Sequence, residues 1–163
     1  MIRYYKFLIW TNIFFTNVTP QVSLNVNTIP EKVSIKLDGD FIGKTPIKSS
    51  NISPGQHTFE IEKQGFAPIK YDMTVNPSKS VSLDFFMNPI YSVVFKTAHK
   101  GLIFELNDEH KWSEDKIGLD LEAGDHQLRV YQIDQIVDEQ TILVDQPLTF
   151  EYFLKKKLKA KKK

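Results

Sequence analysis

The chain has 163 residues, 41% of them hydrophobic, 25% charged and 12% aromatic, with no cysteine and a formal net charge of +1. These figures exclude a chain disordered throughout, a disulfide-stapled fold, a thiol catalyst and a zinc–thiolate centre. The near-neutral total is a cancellation: residues 1–22 hold two basic groups and no acid, residues 23–87 hold seven lysines against seven carboxylates, residues 88–154 carry a net −8, and residues 155–163 hold seven lysines and no acid.

At the amino end, Arg3 and Lys6 precede Phe7, Leu8, Ile9 and Trp10, and a polar break at Thr11 and Asn12 precedes Ile13, Phe14 and Phe15. Basic then apolar then polar is the order of a secretory leader, and the apolar run is shorter than the roughly 20 residues of a membrane-spanning helix. Residues 1–22 are therefore expected to be a signal peptide or leader, with the mature chain exported and no integral membrane span left in it. No cysteine follows the apolar run, so a lipid anchor has no attachment point.

Beyond residue 22 the pattern is β throughout. Val33, Ile35 and Leu37 alternate with polar residues, and Asp38-Gly39 then supplies the dipeptide of a type I′ hairpin turn. Pro54-Gly55 marks the entry to a strand carrying Phe59 and Ile61, and further strands are expected around Tyr71, Met73 and Val75, and around Val81, Leu83 and Phe85. Residues 23–154 show no sustained helical stripe, and short strands at close spacing predict a sandwich or barrel.

An internal repeat organises these strands. A shift of 69 positions carries Gly55 and His57 onto Gly124 and His126, Ile35 onto Phe104, Leu37 onto Leu106, Phe59 onto Leu128, Ile61 onto Val130, Val81 onto Phe150 and Leu83 onto Tyr152, with no gap. Apolar positions stay apolar while outward ones change, as when two copies bury the same face. The expectation is two tandem sandwiches, residues 23–87 and 88–154, followed by a disordered Lys-rich tail at 155–163.

Ile29-Pro30-Glu31-Lys32-Val33, Asp38-Gly39, Gly43-Lys44-Thr45-Pro46, Pro54-Gly55-Gln56-His57 and Gly65-Phe66 stand in the order and spacing of the PEGA domain, which the first copy resembles. The second copy has lost most of these: Gly39 becomes Asp108, Gly43 becomes Trp112, Thr45-Pro46 becomes Glu114-Asp115 and Gly65 becomes Asp134. The resemblance implies all-β folding as two small antiparallel, prealbumin-like sandwiches of the exported and cell-surface kind, with binding or spacer roles and no catalytic residues to transfer. Turn chemistry accounts for Asp38, Gly39, Gly43, Thr45, Pro46, Pro54, Gly55 and Gly65 as structural residues.

Chemical motifs are sparse. The stretch from Gly39 to Thr45 has three residues between its glycines where a phosphate loop needs four, and Pro46 with β pattern follows it. His57 and His126 share the parity of inward residues and read as satisfied, partly buried side chains; His99 and His110 lack partners at metal-ligand spacing. Asp108, Glu109, Glu114 and Asp115 form an acidic loop, which reads as a solvated hairpin. No cofactor or metal is expected.

The candidate partner contacts are Phe41 and Trp112, read as loop aromatics at one end of each sandwich that either meet a partner or cover the sandwich mouth or the seam between domains, and the tail lysines Lys155, Lys156 and Lys157. A protein or cell-envelope polymer is the expected partner, with an anionic surface reached through the lysines and no nucleic acid. The functional expectation is a non-catalytic, exported cell-envelope module. Two alternatives stand beside it: an intracellular accessory domain binding nucleic acid or an acidic partner through the tail, and a small hydrolase using the acidic loop.

Overall fold

The structure, a computed structural model, describes residues 20–154. Among them are fourteen strands and no helix. The expected leader and lysine tail, Lys155, Lys156 and Lys157 included, lie outside the described residues apart from positions 20–22.

In the first half, β1 (Val22–Ile29), β4 (Ile47–Ile52) and β7 (Val81–Phe86) form a three-stranded sheet in the order β4-β1-β7. It faces a four-stranded sheet of β2 (Ser34–Leu37), β3 (Asp40–Lys44), β5 (Gly55–Glu62) and β6 (Ile69–Val75), ordered β3-β2-β5-β6. The reason is visible in β1: Val22, Leu24, Val26 and Thr28 are buried and alternate with less buried neighbours, so one face of the pleat is dry. Ile35 on β2 and Phe59 and Ile61 on β5 meet that face and are fully buried. Val33, one residue before β2, is equally buried.

The second half repeats the arrangement. Strands β8 (Ile90–Thr97), β11 (Lys116–Glu122) and β14 (Leu148–Tyr152) form a sheet ordered β11-β8-β14. Strands β9 (Ile103–Leu106), β10 (His110–Trp112), β12 (Gly124–Gln132) and β13 (Gln135–Val144) form the facing sheet, ordered β10-β9-β12-β13. A second core of Val93, Phe95, Phe104, Leu106, Leu128, Val130 and Val144 fills the space between them.

This is the all-β sandwich architecture read from the sequence, with two additions. In each three-stranded sheet one pair is parallel, β1 with β7 and β8 with β14, because the chain returns beside its own first strand only after passing through the opposite sheet. In addition β1 opens at Val22, which is buried, so the dry stripe begins inside the segment 1–22 that we assigned to the leader.

The repeat itself needs a gap. The 69-residue shift holds for the pairing of β2, β5 and β6, where Ile35 pairs with Ile61 as Phe104 pairs with Val130 and Gly55 with Val75 as Gly124 with Val144; a bulge at the start of β4 offsets it by one, since Val26 pairs with Ile47 but its counterpart Phe95 with Ile117. On the last strands it fails, because Leu24 pairs with Val81 while its counterpart Val93 pairs with Leu148. The true counterpart of Val81 is thus Leu148, at a shift of 67, and Phe150 and Tyr152 correspond to Leu83 and Phe85. The link between β6 and β7 is two residues longer than that between β13 and β14. A two-residue offset preserves side-chain parity in a strand, so the apolar pattern alone conceals it.

Thr45 is buried and joins the two sheets of the first sandwich. Val33 N–H donates to Thr45 Oγ1 at 3.1 Å, the Thr45 and Thr28 hydroxyls meet at 2.5 Å, and Thr28 Oγ1 donates to the Pro30 carbonyl at 2.6 Å. The chain of donors runs one way, so every buried polar atom in it is satisfied. Thr45→Val keeps the shape but orphans this path, and is expected to lower unfolding free energy by about 1–3 kcal/mol in denaturant titration; an unchanged midpoint would refute the role.

Candidate functional site

The residues richest in chemical possibility gather at the β2–β3 turn. Asp38 and Gly39 both adopt positive φ, 54° and 91°, as a two-residue type I′ turn requires. The Asp38 carboxylate reaches from this turn to the start of β5: Oδ1 accepts the Thr58 N–H at 2.9 Å, and Oδ2 lies 2.6 Å from His57 Nδ1. His57 Nε2 lies 2.8 Å from the Ser53 carbonyl. Carboxylate and carbonyl oxygens only accept, so both ring nitrogens carry protons and His57 is an imidazolium in this geometry.

Burial alone would push the His57 pKa down, but the hydrogen bonds to Asp38 and Ser53 and the carboxylate charge outweigh it and raise it above the ordinary 6.5. Asp38 is held below 3.8, first by the Thr58 N–H and then by His57.

The second sandwich repeats the fastener with one atom exchanged. His126 Nε2 donates to the Glu122 carbonyl at 2.8 Å, Asn107 Nδ2 faces Nδ1 at 2.8 Å, and Asn107 Oδ1 accepts the Gln127 N–H at 2.9 Å. An amide nitrogen only donates, so His126 Nδ1 accepts and the ring is neutral. The sequence indicated two satisfied histidines; the difference in their charge comes from Asp38 against Asn107, whose significance appears only when the turn is seen to touch the ring.

Ser53 Oγ lies 3.3 Å from His57 Nε2, so aspartate, imidazole and hydroxyl stand in the order of a nucleophilic relay. The Nε2 proton, however, faces the nearer Ser53 carbonyl, and the same carbonyl bond recurs at Glu122, where no serine is present. The imidazole fastens the turn to the strand and is not placed as a base toward Ser53. An open groove lined by Asp38, Gln56, His57, Thr58, Asp72 and Met73 lies over this fastener.

The other sequence-selected residues separate. Gly43 has φ 144° beside a bulge at Ile42. Pro46 follows a cis peptide bond between β3 and β4, Pro54 precedes β5, Gly55 opens it, and the Gly65 carbonyl accepts the Ile90 N–H at 2.9 Å. Phe41 is 62% exposed on the edge strand β3.

Of the two readings of Trp112, the partner contact is corrected: it is only 6% exposed, stacks on Phe104 at 5.5 Å between ring centroids and lies 5.1 Å from Phe95. Its counterpart by register is Gly43, not Phe41, since Ile35 pairs with Gly43 as Phe104 pairs with Trp112. A Cβ on Gly43 would meet Ile47 at 3.7 Å, and the register counterpart of Ile47, which pairs with Val26, is Ile117, which pairs with Phe95 and is only partly buried against the second core. One sandwich fills this corner with isoleucine from β4, the other with tryptophan from β10.

The acidic loop is divided among separate partners. Asp108 pairs with Arg129, Asp115 with Lys100, and Glu114 accepts the Ser113 N–H at 3.0 Å. Among the described residues no group of three or more His, Cys, Asp or Glu side chains is placed to hold a metal.

The raised His57 and lowered Asp38 values fix the sign of a pH effect. The imidazolium contributes below about 6.5 and is lost as pH rises through its folded value; the carboxylate contributes above about 3.8 and is lost as pH falls through its own. The pair is therefore most stabilising between those two ordinary values, modestly so because the Asp38 side chain is 49% exposed. Asp38→Asn, which copies the second sandwich, is expected to lower the His57 pKa in an NMR titration and flatten the stability change between pH 6 and 8. An unmoved His57 titration would refute the pairing.

Residues 21–90 match the PEGA domain family. No curated protein matches the chain. Among solved structures it is similar to the Bacillus anthracis TIE protein, with 6% identity, 81% of this chain and 33% of that one covered, and a TM-score of 0.31. It is also similar to a Streptococcal ancillary pilin, with 14% identity, 86% and 64% covered, and a TM-score of 0.35. The chain thus spans about a third of the first protein and just under two thirds of the second. Turns, strand order and family match agree over the same stretch, residues 21–90, where the chain is similar to the PEGA domain.

Proposed function

We propose that the chain is an exported, non-catalytic structural and binding module of the cell envelope, made of two PEGA-type sandwiches in tandem. The observation that carries this reading is that the reactive-looking groups hold the fold: both histidines tie a turn to a strand, and the loop carboxylates Asp108 and Asp115 pair with separate cations. The second sandwich repeats the strand order of the first, which supports a degenerate second copy with Trp112 in place of Gly43. Frames of this kind hold edge residues rigidly, and Phe41, beside the Asp38-Gly39 turn, is the aromatic offered to a protein or envelope polymer. The lysines of residues 155–163 add attraction to anionic surfaces.

Export is tested by the intact mass of the mature chain made in a secreting host. Because Val22 is part of the dry stripe, cleavage is expected before Val22, with the product outside the cytosol. A cytosolic chain that still begins at Met1 would overturn export.

The two aromatics should separate in paired assays. Trp112→Ala is expected to cost about 3–5 kcal/mol in denaturant unfolding. Phe41→Ser is expected to stay within about 0.5 kcal/mol yet weaken retention on purified cell-wall polymer. Unchanged retention by Phe41→Ser would remove Phe41 from the contact.

A further inference from the structure

The first and last strands of each sandwich lie side by side and run the same way. In the first sandwich β1 and β7 keep parallel register from Leu24–Val81 to Ile29–Phe86, and in the second β8 and β14 keep it from Val93–Leu148 to Thr97–Tyr152. Parallel pairing puts the entry and the exit of the chain at opposite poles of a sandwich. Tension on the two ends therefore drags the paired strands past each other along their common axis, and every bond of the ladder between them takes load at once. Antiparallel end strands would leave at one pole, and their ladder would open bond by bond.

Each loaded ladder is backed by a dry face and tied across. Leu24 and Val26 on β1 and Val93 on β8 are fully buried, and Val81 and Tyr152 on the partner strands nearly so. Water then reaches the ladder from one face only, which limits the exchange of a stretched amide bond for a solvent bond. Across the first pair Asn27 Nδ2 donates to Asp84 Oδ1 at 2.9 Å, and the Met87 N–H donates to the Ile29 carbonyl at 2.9 Å, one step beyond β7. Across the second pair the Thr97 hydroxyl donates to the Tyr152 carbonyl at 3.3 Å, and the ring centroids of Phe95 and Phe150 lie 5.8 Å apart.

The link between the sandwiches adds no slack. Residues 87–89 separate β7 from β8 and are held from both sides. The Ala67 N–H donates to the Asn88 carbonyl at 2.9 Å, the Ile90 N–H to the Gly65 carbonyl at 2.9 Å, and the Ala123 N–H to the Pro89 carbonyl at 2.8 Å, while Phe66 forms a backbone bridge with Pro89. Load leaving β7 passes into β8 with no free chain to extend between them.

We propose that this chain bears tension: two ladders loaded in shear, set in series and joined by a pinned link, resist extension between residues 22 and 154. This goes beyond the proposed function and stands without it, because the resistance lies in the strand order and needs neither export nor a partner.

The absence of cysteine lets introduced thiols fix where force enters the full chain in single-molecule pulling. Ser92 and Phe153 are exposed, near the start of β8 and just past the end of β14, so Ser92→Cys with Phe153→Cys loads the second ladder along its axis. Ser92→Cys with Pro147→Cys, or with Gln146→Cys should that variant not fold, pulls the same ladder open sideways from the Val93–Leu148 end. Forced unfolding reports the unfolding barrier, so the two geometries are compared at one pulling speed. The axial pair is expected to unfold the sandwich at several-fold higher force than the sideways pair. With Ser23→Cys and Phe153→Cys as attachment points, the tandem should show two peaks in the axial range and no lengthening of its own at low force before the first. Equal forces in the two geometries, or low-force lengthening of the tandem ahead of the first peak, would overturn the proposal.

Discussion

The rest of the structure depends on one constraint, the single dry stripe that each pair of small sheets must close around. Three strands facing four leave little interior, so every inward position counts and each must be filled from both sides. Leu24 and Val26 on β1 meet Phe59 and Ile61 on β5; Val93 and Phe95 on β8 meet Leu128 and Val130 on β12. Small sandwiches hold modest cores, and this chain has no disulfide to add. The corner beside β3 or β10 shows how narrow the tolerance is, because a tryptophan at one site is matched by a glycine plus an inward isoleucine at the other.

Polar groups complete what the stripe cannot. Turns that cross between sheets bring main-chain donors indoors, and an unsatisfied donor there costs as much as a lost hydrophobic contact. Thr28 and Thr45 answer this with hydroxyls in series, and His57 and His126 answer it by binding a carbonyl of the preceding turn and a side chain of the opposite one. The use of imidazole for a mechanical task explains why the histidines sit at the same place in both sandwiches while their charge state differs. The link between sandwiches uses main-chain bonds on both sides, since Pro89 bridges Phe66 and its carbonyl accepts the Ala123 N–H at 2.8 Å.

Most of the fold was legible in the chain, and the errors are informative. Alternation in β2 and β5 and the Asp38-Gly39 turn were visible because each depends on neighbours in sequence. Three things were not. The two-residue gap before β14 preserves parity and so leaves the apolar pattern intact. Trp112 reads as a loop aromatic, and only pairing with Phe104 places it indoors. The Asp38–His57 contact spans 19 positions, and no periodicity reports which turn reaches which ring.

By itself the sequence determined the β class, the repeat, the turn positions and the PEGA resemblance of the first copy, because period-two burial and positive-φ turns are local properties of a chain. Only the tertiary structure decided which strands are parallel, which aromatic is inside and which histidine is charged. Those outcomes depend on register across sheets and on what lies opposite each side chain, and neither is encoded within a window of neighbouring residues.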